Sequence, residues 1–337
     1  MELTGPPMKA FEVIKPSEVR AVDVEAPIYT YVFPQNCSAL ILFTLDGGSP
    51  GARVRFRSCE YMEPTGRVKF TYTWGTGKDI WLDYTKATAG PEMHEPLFFY
   101  VGAQFVQVEG AVPPDAPNPR GLPVVKSIEL VYVRAACREV GHFDSRNPMH
   151  KAAHGLIDWA IRSNMARALS YRYDIHDWFV RNCRAIRDAQ TAGGPDDGFI
   201  PTNTPWYLVG RPRHDTYNDA PEWGVASVLV PWHLYEWYGD RAILEASYDS
   251  ARRFVDYLGT TAKDGVITSH LGDWYDFGHG KGNGPSQWSP NEVSATVIWA
   301  YGADTVAKVA DVLGREADAA KYRSLFGQIR SDFQRHF

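Results

Sequence analysis

The stretch Val230-Pro231-Trp232-His233-Leu234-Tyr235-Glu236-Trp237-Tyr238-Gly239-Asp240-Arg241-Ala242-Ile243-Leu244 decides the fold class. Gly239 and Asp240 interrupt a run of aromatic and aliphatic residues, and Asp240 stands where an N-cap would. Downstream, Ile243, Leu244, Tyr248, Phe254 and Leu258 recur at the spacing of one helical face, which predicts a helix over 241–258. Upstream, the same reading predicts a helix over 221–238. So short a link makes the two helices antiparallel neighbours.

Working outward, helical periodicity covers 147–169, with Trp159 and Ile161 in its apolar set, then 172–190, 292–313 and 316–336. The helix over 292–313 stops at Gly314, in the position of a C′ residue. Three hairpins of this kind predict part of an α/α toroid. The toroids of sugar-cleaving enzymes need six hairpins, so the helices amount to half a ring and the chain reads as ending inside a domain.

Towards the N-terminus the pattern changes near residue 140. Short alternating or β-branched runs occupy 29–33, 39–45, 52–57, 67–74, 98–109 and 124–133. Gly47-Gly48, Pro64-Thr65-Gly66 and the segment 114–121 punctuate them, the pattern of a β-sandwich. The expected architecture is multi-domain β + α: a β-sandwich over 1–140, then part of an (α/α)6 barrel over 141–337.

A net charge of −5 over 337 residues argues against nucleic acid or an anionic membrane as partner, since either wants a basic face. No apolar run approaches the ~20 residues of a membrane span. The first residues, Met-Glu-Leu-Thr-Gly-Pro-Pro, lack the regions of a signal peptide. A soluble protein is expected, its compartment open: cytoplasmic, or periplasmic or secreted if the N-terminus is truncated. Cys37, Cys59, Cys137 and Cys183 are scattered and read as free core thiols. Eleven Trp and eighteen Tyr are more than a core normally needs, and such faces stack on sugar rings.

Candidate chemistry concentrates in two loop segments, 214–224 and 269–278. Each sets two carboxylates three residues apart beside a tryptophan: Asp219 and Glu222 with Trp223, Asp273 and Asp276 with Trp274. A glycosidase needs two carboxylates flanking the scissile bond, about 6.5–9.5 Å apart for inversion and ~5 Å for retention. Simpler roles are open to the same residues. Asp219 and Glu222 have the spacing of a capping box with Pro221 in the first turn. Asp273 and Asp276 could form turns around Gly272 and Gly278. His214, His233 and His270 lack ligand spacing, so no metal is expected. No cofactor is expected either, for GxSxG, P-loop and dinucleotide fingerprints are absent.

Taken together, several stretches resemble glycoside hydrolase family 78, the inverting α-L-rhamnosidases, and most closely bacterial members that use algal polysaccharides such as ulvan. They are Pro6-Pro7-Met8-Lys9-Ala10-Phe11-Glu12, Glu95-Pro96-Leu97-Phe98-Phe99-Tyr100, Phe105-Val106-Gln107-Val108-Glu109-Gly110 and Gly141-His142-Phe143, all in the first half. The helical half adds 219–224, Val230-Pro231-Trp232 with Tyr238-Gly239-Asp240, and Gly272-Asp273-Trp274-Tyr275-Asp276.

The resemblance implies a β-sandwich packed against an (α/α)6 barrel and hydrolysis of terminal α-linked L-rhamnose. It also implies that Asp219, Glu222, Trp223, Asp273, Trp274 and Asp276 bind the sugar. The family's Asp-Cys-Pro…Arg-Glu…Gly-Trp segment, whose Glu is the general acid, has no counterpart. Here 162–170 runs straight into 171–174, as though about twenty residues were missing. The general base is expected beyond residue 337, as is a further β-sandwich. No catalytic residue is therefore assigned, and Glu222 and Asp276 are the only weak candidates. The alternative expectation is a non-catalytic carbohydrate-binding protein derived from such an enzyme.

Overall fold

The computed structural model describes residues 6–69, 80–163, 173–204, 206, 217–268, 271–274, 276 and 286–337. Contacts divide them into two compact units, Pro6–Asp174 and Ile175–Phe337.

The first unit is built on one antiparallel sheet. Its strands are β1 (Met8–Ile14), β2 (Glu18–Asp23), β3 (Ile28–Asp46), β4 (Arg53–Cys59), β5 (Leu82–Thr85), β6 (Glu92–His94), β7 (Val101–Glu109) and β8 (Val124–Ala135). The order is β1-β8-β3-β7-β4-β5, and β2 and β6 also pair with β3. The runs expected at 29–33 and 39–45 are one long strand, β3. Its ladder to β7 is irregular between Val32 and Cys37, where Pro34 has no N–H to give. Alternate residues of β3, from Tyr29 to Phe33 and again from Cys37 to Leu45, are buried, and they meet Val54, Phe56, Val106, Val108, Ile128 and Leu130 in a single core. Phe43 stacks on Phe56 at 4.2 Å. The run expected over 98–109 becomes strand only from Val101. Of the run over 67–74, Val68 bridges Met62, and 70–79 lie outside the described residues.

A short pair, β9 (Arg138–Glu139) with β10 (Tyr173–Asp174), and helix α1 (Pro148–Ser163) complete this unit. Trp159 of α1 donates its indole N–H to the Asn36 carbonyl at 2.7 Å and packs on Tyr132. All four cysteines are buried.

The second unit holds α2 (His176–Ala189), α3 (Pro221–Gly224), α4 (Ala226–Tyr238), α5 (Arg241–Thr261), β11 (Ala262–Lys263), β12 (Val266–Ile267), α6 (Asn291–Val312) and α7 (Glu316–His336). The expected helix over 221–238 is in two pieces meeting at Val225, whose ψ of −14° opens the turn. Asp240 caps α5 by accepting from the Ile243 N–H at 3.1 Å, and Gly239 closes α4 in the left-handed conformation. Gly314, φ +72°, ends α6 in a Schellman turn: the Arg315 N–H reaches the Ala310 carbonyl and the Gly314 N–H reaches that of Asp311. Asp264 and Gly265, both with positive φ, form the two-residue turn between β11 and β12.

The helices approach closely because small residues face large ones. A Cβ on Gly224 would lie 2.6 Å from Phe254, and one on Gly259 3.3 Å from Trp299. Trp299 donates to the Val255 carbonyl at 3.1 Å across α5 and α6. No helix among the described residues is long and apolar enough to cross a membrane.

One clamp ties α2 to the corner between α4 and α5. His176 lies 2.8 Å from Asp177 through Nδ1 and 2.8 Å from Asp240 through Nε2. A ring that serves two carboxylates donates from both nitrogens, which only the imidazolium can do. Burial opposes that charge, but the hydrogen bonds to Asp177 and Asp240 outweigh it and hold the His176 pKa above its usual 6.5. The clamp's contribution is therefore fully present below about pH 6.5 and is lost as pH rises through the raised folded value. Thermal melts should show wild type well above His176→Gln at pH 5.5, with the gap narrowing by pH 8.5. A constant gap would mean that the ring acts by packing alone.

Candidate functional site

The segment before α3 is braced before it reaches the first carboxylate. Thr202 donates its hydroxyl to the Asn218 carbonyl at 3.0 Å, and its own N–H reaches the same atom at 3.2 Å. Asp219 follows, 6% exposed, and accepts from the Tyr257 hydroxyl of α5 at 2.6 Å. Pro221 takes the first helical position, which moves the N-cap to Ala220. The capping-box alternative therefore fails: Asp219 lies one residue before the cap, and Glu222 reaches across to another helix.

That reach defines the site. Ser294 of α6 donates to Glu222 Oε1 at 2.9 Å. Glu222 Oε2 is buried and has no hydrogen-bond partner among the described residues. Leaving such an acceptor unmet costs about 1–3 kcal/mol, more when it is charged. Beside it Trp223 keeps 42% of its surface exposed, with its ring edge-on to Tyr217 at 5.3 Å.

The second segment returns to the same helix. Gly272, φ +70°, lets Asn291, the first residue of α6, lie against it; a Cβ there would sit 2.2 Å from Asn291 Oδ1. The Asp273 carbonyl accepts from the Ser286 N–H at 2.7 Å, while its exposed side chain accepts from the Trp274 N–H at 2.8 Å. Asp276 Oδ2 accepts from the Ser286 hydroxyl and from the N–H groups of Gln287 and Trp288, each at 2.7 Å. Asp276 thus organises the approach to α6 through residues ten to twelve positions away. Trp274 is half-buried, and Trp288 is largely exposed.

Both carboxylate segments are consequently anchored on residues 286–294. The sequence reading missed their partners Tyr257, Ser286, Asn291 and Ser294. His214, His270, Tyr275 and Gly278, and the junction over 164–172 at which the family's acid segment was expected, lie outside the described residues. Among the described residues no group of three or more His, Cys, Asp or Glu side chains could hold a metal ion. The arrangement offers an unmet carboxylate oxygen beside an open indole face, which is suited to a neutral molecule with hydroxyl donors and apolar C–H faces.

The model of the bacterial alpha-L-rhamnosidase six-hairpin glycosidase domain matches residues 165–337, and that of the bacterial alpha-L-rhamnosidase concanavalin-like domain matches 27–128. An alpha-L-rhamnosidase of Streptomyces avermitilis is 28% identical over 313 residues, covering 85% of this chain and 27% of that protein. One from Alteromonas sp. is 24% identical over 367 residues, covering 97% of this chain and 36% of that protein. The chain thus spans about a third, or less, of the curated relatives it matches. Among solved structures, the alpha-L-rhamnosidase from Dictyoglumus thermophilum superposes with a TM-score of 0.81 at 25% identity, over 98% of this chain and 37% of that one. The Streptomyces avermitilis enzyme complexed with L-rhamnose gives 0.78 at 24% identity, over 99% of this chain and 32% of that one, a likeness of fold. Sheet domain, helical hairpins and both matched models agree: the chain belongs to the bacterial α-L-rhamnosidases of glycoside hydrolase family 78.

Proposed function

We propose that this chain is the sugar-binding part of an α-L-rhamnosidase that removes terminal α-L-rhamnosyl residues from oligo- or polysaccharides with inversion. The observation that carries the reading is Glu222, one oxygen fixed by Ser294 and the other buried without a partner, beside the exposed Trp223. A rhamnose hydroxyl donated to Oε2 would satisfy that oxygen, and the C–H face of the ring would cover the indole. Asp273 and Trp274 line the approach. Asp219 and Asp276 hold the two segments in place.

An inverting hydrolase needs a protonated carboxylic acid for the leaving oxygen and a carboxylate to activate water. We assign both weak candidates to binding and positioning. Asp276 Oδ2 already takes three donors and holds its own segment in place. Glu222 Oε1 is fixed by the Ser294 hydroxyl, which suits a group that orients the sugar. The Alteromonas alignment, 367 residues long against a chain of 337, includes at least 30 for which this chain has no counterpart. The same features support the second reading, a non-catalytic carbohydrate-binding protein.

Release of 4-nitrophenol from 4-nitrophenyl α-L-rhamnoside separates the two. The 337-residue chain should be silent, since each proton-transfer group is worth about 10²–10⁴ in rate. A version extended downstream and carrying the family's acid segment should turn over if the protein is a rhamnosidase. Silence in both, with L-rhamnose still bound, would favour the binding protein. Turnover by the short chain that disappears in Glu222→Gln would make Glu222 catalytic and overturn its assignment to binding. In a separate titration, Ser294→Ala should weaken L-rhamnose binding about fivefold to tenfold, the loss of one hydrogen bond orienting a charged group.

A further inference from the structure

The sheet unit contains a cavity of its own, of about 660 Å³, within the usual range for a small-molecule site. Ser58, Glu60, Tyr61, Ile80, Phe98 and Tyr100 line much of it. Phe98 is 99% exposed, and Tyr61, Tyr100 and Ile80 each keep about half their surface in water. Isolated apolar residues on a surface need no explanation, but a concave cluster of aromatic rings does.

Hydrogen bonds fix part of the cavity wall. Cys59 donates its thiol to the Lys69 carbonyl at 3.0 Å and accepts from the Tyr61 N–H, fixing the end of β4. Tyr100 donates its hydroxyl to the Val133 carbonyl at 3.3 Å. Glu60 Oε1 accepts from the Asn36 side-chain amide at 2.9 Å and lies over Gly102, where a Cβ would come within 3.1 Å. The Glu60 carboxylate makes no ion pair among the described residues, and the Tyr61 hydroxyl has no partner among them.

This chemistry selects the ligand class. An anionic ligand would meet an uncompensated carboxylate, for no cation is present among the described lining residues. A protein surface closing over the cavity would strand that charge away from water. A neutral polyhydroxylated chain avoids both costs: its C–H faces stack on Phe98, Tyr61 and Tyr100, and its hydroxyls donate to Glu60. We infer that the sheet unit holds a second, non-catalytic site for a neutral glycan chain, formed by Glu60, Tyr61, Phe98 and Tyr100. The inference rests on the proposed function only for the choice of sugar.

Native electrophoresis of the full chain through gels containing a neutral α-linked L-rhamnan tests it, alongside fluorescence titration with monomeric L-rhamnose. Phe98→Ala and Glu60→Gln alter exposed positions, and unchanged thermal melts would verify folding. Each should weaken retention by the polysaccharide about fivefold or more while leaving monosaccharide binding as in wild type. Wild-type retention in both variants, or no retention of the wild type by the rhamnan, would overturn the second site. If L-rhamnose also failed to bind, the proposed function would fall with it. Monosaccharide binding without any effect of these variants would sink the second site alone.

Discussion

The first turn of α6 is the constraint on which the candidate site depends. Ser294 holds Glu222, Asn291 lies on Gly272, and Ser286 joins Asp273 to Asp276 just before the helix begins. Glu222 and Ser294 are 72 residues apart in sequence, so neither segment can place its carboxylates alone. A helix packed in a core is a stiff support, and hydrogen bonds to ionised groups are among the stronger ones, at about 1.5–3 kcal/mol each. Function is thus tied to packing: whatever shifts α6 shifts both carboxylate segments together.

What keeps α6 in place lies deeper. Gly224 admits Phe254 of α5, and Gly259 of α5 admits Trp299 of α6. Tyr257, one turn along α5 from Phe254, reaches Asp219. The same helix therefore supplies core contacts to α3 and α6 and a hydrogen bond to the segment entering the site. Asp219 is buried and held by Tyr257, which steadies the turn into Pro221, where no side chain caps the helix.

Much of the helical half was legible in the sequence, because its signals are local. Asp240 caps α5 and Gly314 ends α6 where spacing placed them. The alternation along β3 was legible too, although Pro34 made one strand read as two. The strands β1, β2, β5 and β6 escaped, and β1 shows why: six of its seven residues are exposed, so it carries no alternation. At the site, the paired carboxylates and their tryptophans stood out, but their partners did not. Tyr257 and Ser294 look like ordinary helix residues, and only tertiary structure reveals the bonds they make. The capping-box spacing of Asp219 and Glu222 misled because Pro221 fixes the first helical position one residue later.

A crystal structure of the chain soaked in L-rhamnose tests most directly whether a sugar hydroxyl belongs at Glu222 Oε2. The sugar ring should lie over Trp223 with a hydroxyl within hydrogen-bond distance of that oxygen. Rhamnose bound elsewhere in the helical unit, with Glu222 Oε2 still lacking a partner, would contradict it.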